Sequence, residues 1–202
     1  MQNKTYSQLV SLIKSLAGVN SFTPEENGYI LNFANRRLDE IYESSLMWPR
    51  YLRVGEERAI SGNNIVPYSQ ADSPTIRDFI SISKEKPLVN KSVLNYDFYV
   101  NANGANIINF NGSNSLSVYV TYKSSYAEFE DDESFVPAEF FQYIAHASYA
   151  DFLRMDGQIE KAILEEGIAN DYMDRELGKL DTISNNNFVG RRIPTYVNSQ
   201  SR

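Results

Sequence analysis

The spacing of apolar residues in this chain changes twice, and those two changes limit what it can fold into. Leu9, Leu12, Ile13 and Leu16 recur every three or four residues, as do Tyr29, Ile30, Phe33, Leu38, Ile41 and Tyr42. Both sets trace one face of a helix. From Tyr51 to Tyr126 the period falls to two, most cleanly where Leu116, Val118, Val120 and Tyr122 alternate with Ser117, Tyr119 and Thr121. Phe140, Phe141, Ile144, Ala145, Tyr149, Phe152 and Leu153 then restore the helical spacing, and Ile159, Ala162, Ile163, Ala169, Tyr172, Met173, Leu177 and Leu180 continue it. A chain with this order predicts an α+β fold in which an antiparallel β domain is inserted between two helical pairs.

Local signals sharpen the boundaries. Gly18 is a C-cap for the first helix, and Thr23, Pro24 and Glu26 supply the N-cap, first helical position and capping box of the second. Pro49 biases Trp48 away from helical geometry and closes that helix near Ser45. Strands are expected at 51–60, 76–83, 95–102, 105–110 and 116–126, as a meander or small sandwich. Asn103-Gly104, Asn111-Gly112 and Gly62-Asn63-Asn64 are its turns. Pro137 fits the first position of the third helix, and Met155-Asp156-Gly157 is a break short enough to make the fourth helix an antiparallel neighbour. From Thr182 to Arg202 periodicity is lost around Asn185, Asn186, Asn187, Gly190 and Pro194, which reads as an extended arm. The expected organisation is a helical pair (1–50), a β-rich insertion (51–127), a second helical pair completing a four-helix bundle (128–181) and the arm (182–202).

Composition removes several function classes. At 42% hydrophobic and 22% charged residues the chain falls in the globular range. Without cysteine it has no disulfide framework, no thiolate metal site and no thiol nucleophile, and one histidine, His146, rules out a His-rich site. No apolar run is long enough to span a membrane, and Met1-Gln2-Asn3-Lys4 lacks the apolar centre of a signal peptide. Residues 182–202 carry Arg191, Arg192 and Arg202 and no acid. Taking these from the 19 basic residues leaves 16 against 26 acids, a body of −10. An acidic body opposes tight wrapping of nucleic acid. It is compatible with a channel through which DNA slides without being held.

No phosphate loop, nucleophile elbow or His-Glu-x-x-His motif is present. His146, the single histidine and so the one available to a serine–histidine arrangement, sits in a helix rich in aromatic and small residues. Glu128, Glu130, Asp131, Asp132 and Glu133 lack the glycine and closing glutamate of a calcium loop. They read as a solvated connector favouring the helix start that follows. The aromatic content and the arm point instead to association. Phe188, Val189, Ile193, Tyr196 and Val197 make the arm too apolar for a solubilising tail, and such a segment orders against a partner.

Arg36-Arg37 in the second helix, Trp48-Pro49 at its close and the strand Val120-Thr121-Tyr122 form a recognisable succession. The acidic connector follows, then the stretches Phe141-Gln142-Tyr143-Ile144-Ala145 and Glu165-Glu166-Gly167-Ile168-Ala169. Taken together, these features resemble the head-to-tail adaptors of short-tailed bacteriophages, of the tail tubular protein A type. The Asn- and Ser-rich β region departs from any position-by-position match. The resemblance implies a non-enzymatic structural protein at the virion neck, assembled in the host cytoplasm and needing no cofactor. Twelve copies would form a ring beneath the portal protein, extend the DNA channel without sequence-specific binding, and offer a platform to the tail nozzle or tube. Phe188, Arg191, Arg192, Ile193 and Tyr196 would carry portal binding, and Arg36, Arg37, Trp48 and Tyr143 are the implied ring or tail contacts. Three rivals are a head-closure or tail-terminator protein, a hydrolase using His146 or the 128–133 acids at the β–helix junction, and a cytoplasmic regulatory or binding protein of small oligomeric state.

Overall fold

The computed structural model describes residues 4–61, 64–87, 94–108, 110 and 117–200, with side chains described as far as Leu180. In chain order the elements are β1 (Lys4–Thr5), α1 (Tyr6–Ala17), α2 (Pro24–Glu43), β2 (Leu52–Ala59), β3 (Ile65–Val66), β4 (Ile76–Ser83), β5 (Asn95–Tyr96), β6 (Phe98–Asn101), β7 (Gly104–Ile107), β8 (Ser117–Ser124), β9 (Phe135–Val136), α3 (Phe141–Met155) and α4 (Ile159–Gln200). They separate into two compact units: Met1–Ser45 with Glu128–Arg202, and Leu46–Ala127. The fold is α+β with antiparallel sheets. Leu46–Arg50 belongs to the β unit, because α2 ends at Glu43 and the amides of Tyr51 and Leu52 both donate to the Trp48 carbonyl.

In the helical unit the caps follow the sequence closely. Gly18 takes the left-handed conformation, φ 69°, that only glycine adopts without strain. At the start of α2 the Glu26 amide donates to Thr23 Oγ1 at 3.2 Å, and the Thr23 amide donates to Glu26 Oε2 at 2.7 Å. A second capping box, Thr5 with Gln8, opens α1 and was not anticipated. α3 is the central helix and packs against α1, α2 and α4. Its buried residues, including Tyr143, Ile144, Ala147, Ala150, Asp151 and Leu153, run around most of its circumference, as a helix enclosed by neighbours requires.

Three expectations for this unit need correction. α3 begins at Phe141, not at Pro137, because Val136 is held in a ladder with Lys4 and the Phe140 amide closes a turn onto the Pro137 carbonyl. The acidic connector does not favour the start of α3 either. Its backbone folds over the start of α1, where the Tyr6 amide donates to the Ser134 carbonyl at 2.9 Å and the Ser7 amide to the Asp132 carbonyl at 3.0 Å. Those amides are among the four that a helix start leaves unpaired, so the connector caps the helix most distant from it in sequence. Finally, α4 continues as helix to Gln200, where an extended arm from Thr182 was expected. Helix propagation adds one hydrogen bond per residue once nucleation has been met upstream, which favours continuing α4 through a segment of poor propensity.

In the β unit, strands run in the order β2-β8-β4-β5 in one sheet and β3-β7-β6 in the other. Val66, Ile76, Ile82, Ala105, Ile107, Val118, Val120 and Tyr122 form one core between them. Val118, Val120 and Tyr122 are the inward set of the predicted alternation, and their strand, β8, lies between β2 and β4. The β6–β7 hairpin pairs Asn101 with Gly104, so its loop is Ala102 and Asn103, and Gly104 starts the next strand. Gly104 has φ 137°, and a Cβ there would lie 2.0 Å from the Val66 carbonyl oxygen, so both backbone conformation and space demand glycine. The Asn111-Gly112 turn and the Gly62-Asn63 part of another lie outside the described residues.

Candidate functional site

Arg36 and Arg37, adjacent on α2, meet different environments. Arg37 is 7% exposed. Its Nε donates to Asp151 Oδ2 at 2.7 Å and its Nη2 to Asp151 Oδ1 at 2.8 Å, the paired fork geometry that binds carboxylates most strongly. Nη1 donates to Glu40 Oε2 at 2.7 Å, and Nη2 also reaches Glu166 Oε1 at 3.2 Å. Arg154 joins the cluster through Asp151 and Glu166, and the exposed Arg36 touches Asp151 from outside while lying over the Phe33 ring. α2, α3 and α4 are therefore tied together by three arginines and three carboxylates.

The electrostatics of this cluster are those of a mutually neutralised group. Burial pushes the Asp151 carboxyl upward, but hydrogen bonds from Arg37 and then Arg36 prevail and hold it below the usual carboxylate range. Burial would lower the Arg37 pKa, yet bonding to Asp151 and Glu40 raises it further above its ordinary value. Burial, then the neighbouring Glu40 charge, pushes the Tyr143 hydroxyl up to about 12.

His146 bonds through Nδ1 to Glu165 Oε2 at 2.7 Å and stacks on Tyr172, with ring centroids 5.6 Å apart. These contacts fasten α3 to α4, and no hydroxyl nucleophile is bonded to the imidazole among the described residues. The 128–133 acids are likewise structural in their best-defined contacts. Asp131 Oδ1 accepts from the Ser134 hydroxyl at 2.9 Å, while Asn35 clamps the Phe129 backbone with bonds of 2.7 and 3.0 Å. Beside them a cleft of about 410 Å³ opens between α1, α2 and the connector, with Lys14, Asn27, Glu130 and Asp132 on its walls. Among the described residues no group of His, Asp and Glu is placed to hold a metal ion, and no helix is long and apolar enough to cross a membrane.

The implied contact residues are distributed unevenly. Arg37, Trp48 and Tyr143 are buried within the chain, at 7%, 2% and 2% exposure, so of the four only Arg36 presents its side chain to solvent. The side chains of Phe188, Arg191, Arg192, Ile193 and Tyr196 lie outside the described residues. An exposed apolar surface does occur on α4, where Ile159, Ile163, Leu164 and Ile168 are 40–70% exposed. The helical pattern of α4 named these residues but not their exposure, because its buried face is narrow: among its described side chains only Ala162 and Ala169 are fully enclosed.

One fully buried cation was missed in the sequence. Arg58 in β2 is 0% exposed, lies over the Tyr122 ring at 4.8 Å and donates to the Pro74 carbonyl at 2.6 Å. It also donates to the Tyr122 hydroxyl, which in turn donates to Glu56 Oε2 at 2.9 Å. The available signal was the two-residue spacing of Glu56 and Arg58, which sets opposite charges on one face of a strand. No protein-family model matches the chain, and no curated protein matches it either.

Proposed function

We propose that this protein is a structural component of a tailed-phage virion, a head-to-tail adaptor that assembles as a ring beneath the portal. In this reading the four helices form the bundle of each protomer, about twelve protomers close the ring, and the β unit meets the tail nozzle or tube. Genomic DNA passes through the channel without sequence-specific contacts, and the protein sits at the virion neck after assembly in the host cytoplasm. The carrying observation is the length of α4. His146 lies level with Tyr172 and Arg154 with Glu166 in this antiparallel pair, so the N-terminal end of α3, Phe141, lies alongside roughly residue 177 of α4. With 42 residues in α4 against 15 in α3, about 20 residues, or roughly 30 Å of helix, continue past their neighbour. That extension carries the basic, acid-free segment with Phe188, Arg191, Arg192, Ile193 and Tyr196, suited to entering apolar pockets and pairing with portal carboxylates. The aliphatic residues exposed on α4 are apolar surface that a ring would cover.

The titratable groups that a hydrolase would recruit are engaged otherwise. His146 ties two helices together, and the acidic connector closes over the start of α1. The test is deletion of residues 182–202. The shortened chain is expected to keep the helical signal of α1, α2, α3 and the remaining part of α4, and to lose binding to purified portal rings. Wild-type affinity after the deletion overturns the assignment of portal binding to this segment. Persistent monomers or dimers by native mass spectrometry in the presence of portal overturn the adaptor reading as a whole.

A further inference from the structure

We draw no further inference here: the strongest candidate, the outward face of α4 carrying Ile163, Leu164 and Ile168, is an unpartnered apolar surface that belongs to the ring reading already proposed, and nothing in the structure shows what covers it.

Discussion

Replacing Asp151 by Asn tests whether the buried ion cluster holds the helical unit together. The substitution preserves shape but removes the charge that faces Arg37, Arg36 and Arg154. It also puts an amide N–H₂ against one of two guanidinium N–H groups. Arg37 is 7% exposed, and breaking a buried pair from one side costs about 3–5 kcal/mol because the remaining charge is left uncompensated. Glu40 and Glu166 still contact Arg37, which places the expected loss near the lower end, about 3 kcal/mol. For a unit of this size that corresponds to a fall in Tm of roughly 10 °C, measured by circular dichroism at 222 nm. The pH dependence supplies a second readout. The folded Asp151 carboxyl is held below its ordinary value, so its contribution is present above the unfolded pKa of about 3.9 and is lost as pH falls through the folded one. Wild type and variant should therefore differ at pH 7 and converge in acid. Changing Arg37 to Met and Asp151 to Leu together should recover much of the loss, since no lone charge remains between that pair. A difference under about 0.5 kcal/mol at pH 7, or one that persists unchanged to pH 2, would refute the reasoning.

Three further outcomes follow from the same kind of argument. Asn35→Ala removes both hydrogen bonds to the Phe129 backbone; thermal unfolding should show a loss of about 2 kcal/mol, and an unchanged Tm would mean that the Tyr6 and Ser7 amide bonds and apolar contacts hold the connector without Asn35. Gly104→Ala forces a Cβ to within 2.0 Å of the Val66 carbonyl oxygen; urea unfolding of the β unit should register about 3 kcal/mol or more, and a neutral result would show that the hairpin approaches β3 less closely. Tyr6 and Tyr143 are pushed up to about 12, mainly by burial, so their contribution to stability is intact below pH ~10 and declines as pH rises through 12. Absorbance titration should find at least two tyrosines still protonated at pH 11, and one fewer in Tyr143→Phe; complete ionisation by pH 11 would contradict their burial.

The sequence alone determined the elements whose causes are local. The capping box at Thr23, the left-handed Gly18, the short break at Gly157 and the alternation through Val118, Val120 and Tyr122 each depend on residues a few positions apart. Their physics is complete before the chain folds back on itself. The order of helices, β insertion and helices follows from the same short-range periods. Tertiary structure decided everything that joins distant segments. Arg37 is buried and Arg36 exposed because Asp151, 114 positions after Arg37, arrives on one side of α2. The connector caps α1, and α3 starts late, because β1 and β9 pair across the whole intervening chain. Whether an acidic residue meets solvent, a helix terminus or a guanidinium is set by which backbone comes within hydrogen-bonding distance, and residue spacing carries no record of that.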